Sequence, residues 1–77
     1  MKKVVRGYVL DTDNAQIVKK FVSGAWGDPK GYEETLYVTE KGVYFVYTNG
    51  GSESKYPEEN ITLKYKQTVE KWIEAHK

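Results

Sequence analysis

Cysteine is absent from the 77 residues, so neither a disulfide nor a thiolate metal site can brace this fold. Histidine occurs once, at His76, with no second imidazole to share a metal. It reads as a cation at the end of a C-terminal helix or as a core-edge residue. Net charge is nearly missing too. Twelve Lys/Arg against eleven Asp/Glu leave +1, too little to hold a polyanion by its field alone. No apolar run approaches membrane-spanning length. The opening MKKVVRGYVLD begins like an export signal, but Arg6, Gly7, Asp11 and Asp13 interrupt it, so the expected location is cytoplasmic. Also lacking are a Gly-x-Ser-x-Gly elbow, a P-loop and a dinucleotide fingerprint. Glu33 and Glu34 are adjacent, so on a strand they point to opposite faces and cannot share a proton. These absences point away from an enzyme, a metal and a cofactor.

What is present is a high aromatic content, 14% of residues, with four of the eleven aromatics in one stretch. From Glu33 to Gly51 two runs rich in Val, Tyr, Phe and Thr flank Thr39-Glu40-Lys41-Gly42. Such residues fit a pleated, half-buried surface. The four between them predict a type I turn whose glycine takes positive φ as a G1 bulge. Thr39 then faces Val43, and Tyr37, Val43, Phe45 and Tyr47 share one sheet face, with Leu36, Val38, Tyr44 and Val46 on the other. A two-residue Lys41-Gly42 turn would undo that assignment. Asn49-Gly50-Gly51 predicts a second reversal, into a short edge strand at Ser52–Tyr56 ended by Pro57.

Upstream, Lys3–Asp11 and Ala15–Ser23 read as two strands around a Thr12-Asp13-Asn14 turn. Neither has a clean polar face, and in the second Lys19 and Lys20 fall one on each side. Residues 13–22 also satisfy helical spacing, with Asp13 as N-cap, so strand and helix both stand here. Gly24–Tyr32 is a glycine-rich loop carrying Trp26, either a core anchor or an exposed contact. In the tail, Tyr65, Val69, Trp72, Ile73 and His76 form one helical stripe, and the helix is expected to begin near Lys64. The whole predicts a single α+β domain over residues 1–77. Its architecture is a curled antiparallel sheet of four or five strands, with the C-terminal helix packed on one face.

YEETLYVTEKGVYFVYTNGGSESKY, residues 32–56, resembles a family of short, uncharacterised bacterial and phage proteins. In that family an acidic-Thr/Ser-Leu-Tyr run leads through a Lys-Gly turn into an aromatic strand, then Gly-Gly and Ser/Thr-Lys-Tyr. The Val9–Ala15 opening and Val69-Glu70-Lys71-Trp72 are similar to the family's start and terminal helix, although Leu10 stands where the family tends to carry Tyr. The resemblance implies an order of elements and no assigned activity.

The candidate binding residues are therefore Tyr37, Phe45 and Tyr47, with Lys19 or Lys20 beside them and Trp26 as a separate contact. In a chain this small both aromatic sets can equally be core, one of them closed over by the first hairpin and the Trp26 loop. If the face is open, it suits a partner protein. The non-enzymatic reading is an interaction or regulatory accessory module, monomeric or weakly dimeric, away from membranes. The alternative is weak single-stranded nucleic-acid binding, in which bases stack on the aromatic face.

Overall fold

A computed structural model describes residues 1–24 and 27–75, so the expectations for Trp26 and His76 lie outside the described residues. The chain runs β1 (Lys2–Val5), β2 (Tyr8–Asp11), β3 (Gln16–Ser23), β4 (Tyr32–Val38), β5 (Tyr44–Gly50), β6 (Asn60–Lys64) and α1 (Lys66–Ala75). Strands β3-β4-β5-β6 form a four-stranded antiparallel sheet in that order, and β1-β2 is a separate hairpin. The fold is α+β, as the sequence predicts.

The turn after Thr39 sets the centre of the sheet. The Thr39 amide donates to the Val43 carbonyl (2.9 Å) and the Gly42 amide to the Thr39 carbonyl (3.0 Å). Gly42 has φ 79°, in the left-handed region that favours glycine. Tyr37 consequently faces Phe45, and Leu36 faces Val46, which is the face assignment the turn predicts.

One face carries Leu36 and Val46, buried against Val69 and Trp72 of α1, with Phe21, Tyr44 and Ile73 at the margin. On the other face Phe45 and Ile61 are buried with Leu10 of β2. The sheet thus lies between a helix and a hairpin. Each fully buried side chain of this size contributes roughly 1.5–3 kcal/mol. Leu10, at 0% exposure, is the hairpin's main apolar anchor.

Four expectations need correcting. Lys3–Asp11 is two strands, because Arg6 (φ 52°) and Gly7 (φ 81°) turn the chain back on itself. Two successive positive φ values give the twist that a two-residue hairpin needs. Residues 12–14 do turn, with the Asp13 amide on the Asp11 carboxylate (3.0 Å). They lead from the hairpin into the sheet, however, and β2 and β3 do not pair. Of the two options for residues 13–22, the strand is the one formed, as β3.

The third correction concerns Gly50-Gly51 and Ser52–Tyr56, which is irregular rather than a strand. The Gly51 amide donates to the Gly31 carbonyl (2.9 Å) and the Glu53 amide to the Pro29 carbonyl (2.9 Å). A Cβ on Gly51 would come within 2.6 Å of the Pro29 carbonyl carbon. The glycines admit a neighbouring loop and do not reverse the chain. Fourth, β5's outer neighbour is β6, formed from residues expected as the entry to the helix. The helix starts at Lys66. The Tyr65 amide donates to the Thr68 hydroxyl (3.0 Å), which donates in turn to the Tyr65 carbonyl (2.8 Å), a side-chain cap of the first turn. Tyr65 is exposed and does not belong to the buried stripe.

Candidate protein-docking edge

Tyr37, Phe45 and Tyr47 do share a face, but they form no open platform. Tyr37 and Phe45 stack at 5.2 Å with an interplanar angle of 7°, and Phe45 is fully buried under the β1–β2 hairpin. The Tyr47 hydroxyl donates to Glu59 Oε2 (2.9 Å). Burial first, and then the Glu59 carboxylate, push its phenol up to about 12, so it stays neutral. This is the core alternative to an open platform, with the first hairpin as the cover. The Arg6-Gly7 turn folds β2 back over the sheet.

The hairpin covers only part of the face. Its anchors lie against β5 and β6, and β1 runs beside β6. On the same face the β3 side chains stay exposed, Ile17 opposite Tyr37, Lys20 opposite the buried Thr35, and Val22 opposite Glu33. Lys20 Nζ and Glu33 Oε2 are 3.4 Å apart. Lys19 lies across from Leu36, on the helix face. The structure therefore separates the two lysines, and Lys20 alone borders the Tyr37 face.

The two edges of the sheet differ. At β6, the Lys3 ammonium donates to Asn60 Oδ1 (2.9 Å) and to the Ile61 carbonyl (3.4 Å), occupying an outward backbone acceptor. At β3, no strand lies on the outer side among the described residues. This edge runs for eight residues, and Ile17, Val18 and Val22 are 60%, 44% and 58% exposed. The register slips between Ile17 and Lys19, a bulge at Val18 and the only irregularity along this edge. Alternate residues of such a strand turn their N–H and C=O groups away from the sheet. A shallow cavity of about 580 Å³ continues from its C-terminal end, bordered by Lys20, Val22, Glu33 and Asn49.

Ile17, Val18 and Val22 are the residues that the candidate set lacks. Their signal was present as two apolar faces on one strand. It reads naturally as burial on both sides, and only the tertiary arrangement leaves it bare.

Beside this edge, Glu34 is buried and accepts a hydrogen bond from the Tyr56 hydroxyl (2.6 Å). Burial and the Glu34 carboxylate push the Tyr56 phenol up to about 12. Tyr32 packs edge-on against Tyr56 at 5.4 Å, and Lys55 Nζ lies 5.6 Å from the Tyr56 ring centre. These contacts lock the 51–59 connection onto β4 and so hold the strand that β3 pairs with.

No family model, curated protein or solved structure matches this chain. Among the described residues no helix is long and apolar enough to cross a membrane.

Proposed function

We propose that this chain is a protein-interaction module that takes up an extended segment of a partner as an added strand on the outer edge of β3. The observation that carries this is the eight-residue edge with Ile17, Val18 and Val22 exposed along it. An incoming strand would satisfy the outward backbone groups at a net gain of roughly 0.5–1.5 kcal/mol per hydrogen bond. It would also bury three β-branched side chains. Ordering the peptide costs about 1–2 kcal/mol per residue, so the expected affinity is modest, of micromolar order.

Against stacking of single-stranded bases stand the burial of Phe45 and the negative charge of Glu59 beside Tyr47. The likeness of residues 32–56 to short bacterial and phage proteins, which we take as a shared order of elements, brings no activity with it.

The test uses a labelled peptide with the sequence of residues 32–38, the strand that β3 already pairs with inside the molecule. Fluorescence anisotropy should give a dissociation constant of roughly micromolar order. An Ile17→Lys, Val22→Lys double variant should lose binding with its melting curve unchanged, since both side chains are largely exposed. Equal binding to the variant, or no binding to the parent, would refute the reading.

A further inference from the structure

The charge along β3 says which strand fits. Its only ionisable groups are Lys19 and Lys20, adjacent and therefore on opposite faces, with apolar residues on both sides of the pair. Lys20 is in contact with Glu33 but keeps half of its side chain exposed. Lys19 has no carboxylate within ion-pair distance among the described residues. An incoming strand therefore meets one ammonium on each face at its centre and β-branched side chains toward its ends.

The chain supplies its own example of a strand that pairs with β3. On the inner side β4 brings Glu33 and Glu34, one per face, opposite Val22 and Phe21, and Glu33 reaches Lys20 diagonally at 3.4 Å. A second copy of the chain fits less well. Antiparallel pairing with the same strand of another molecule, centred on Lys20, would set Lys20 across from Lys20, because directly opposite residues share a face. Like charges directly opposite one another destabilise a strand pair.

Resting on the strand-docking reading, we infer that the partner segment carries two adjacent carboxylates flanked by β-branched or aromatic residues. The two carboxylates face Lys19 and Lys20, and the flanking residues cover Ile17 and Val22. Recognition divides accordingly: the backbone ladder and apolar contacts hold any extended strand, and the lysine pair selects the acidic ones. Such charge selection acts on encounter rate and specificity and weakens as salt rises.

Two peptides separate this inference from the reading beneath it. One has the sequence of residues 32–38, and the other is the same peptide with Glu33→Gln and Glu34→Gln. The acidic peptide should bind at least roughly tenfold more tightly at low salt, with the gap closing as salt is added. A Lys19→Gln, Lys20→Gln double variant should bind both peptides alike, at the level the parent shows for the neutral one. Equal affinity of the parent for both peptides would overturn the acidic specificity and leave strand docking standing. Binding of neither would overturn both. Sedimentation of the protein alone completes the test: a monomer agrees with the lysine argument, and a dimer abolished by Ile17→Lys, Val22→Lys would replace the acidic strand with a second copy.

Discussion

The two edges of one small sheet are treated in opposite ways. The β6 edge is short, five residues, and lies beside β1, whose Lys3 occupies an outward carbonyl. The β3 edge is longer, more apolar and, among the described residues, without such cover. Edges are where sheets recruit other strands, and natural proteins blunt the ones they do not use. The hairpin thus covers one edge selectively, and on the proposed reading the other edge is where a partner enters.

The comparison breaks most severely if the layer common to both halves is removed. Trp72 packs with Leu36 and Val46, and Phe21 of β3 joins the same cluster. Trp72→Ala should cost about 3–5 kcal/mol, enough to unfold so small a domain in a thermal or urea melt. A melt within a few degrees of the parent would remove α1 from the core. Leu10→Ala acts on one half only. It should cost roughly 2–4 kcal/mol and loosen the hairpin from Phe45 and Ile61. Amide exchange should then accelerate in β6 and stay slow at the β3–β4 pairing.

Gly42→Val sharpens the centre of the sheet. A Cβ there would meet nothing within 4 Å, so any loss comes from the backbone alone. At φ 79° a β-branched residue should cost about 1–2 kcal/mol. An unchanged denaturation midpoint would contradict the G1 bulge. Smallest is Lys3→Ala, expected to cost under about 1 kcal/mol. Its interest lies in the edge it uncovers, since β6 should then begin to accept the strand peptide.

At the base-titration end, Tyr47 and Tyr56 have phenols pushed from 10 up to about 12. A raised pKa in the folded state means their contribution to stability is intact below pH 10 and is lost as pH climbs through about 12. Phenolate absorbance should show these two tyrosines titrating near pH 12. Tyr47→Phe and Tyr56→Phe should each remove part of that step.

How far the sequence revealed this fold follows from local chemistry. The β4–β5 register was legible because Thr39-Glu40-Lys41-Gly42 encodes its turn without tertiary help. The Arg6-Gly7 turn was not, since arginine seldom takes positive φ. The Asn49-Gly50-Gly51 signal misled because its glycines serve a close approach by Pro29 and Gly31. β6 was hidden because it runs almost directly into α1, so its residues read as the entry to the helix. Lys19 and Lys20 were legible as one lysine per face. That their strand lies uncovered depends on where the hairpin lands, which a local reading does not contain.

The most direct test of the contrast is residue-resolved amide hydrogen exchange, with and without the peptide of residues 32–38. New protection should appear at outward-facing amides within Gln16–Ser23, while Asn60–Lys64 stays unchanged. Protection appearing at β6 instead, or equally at both edges, would contradict the selective opening of β3.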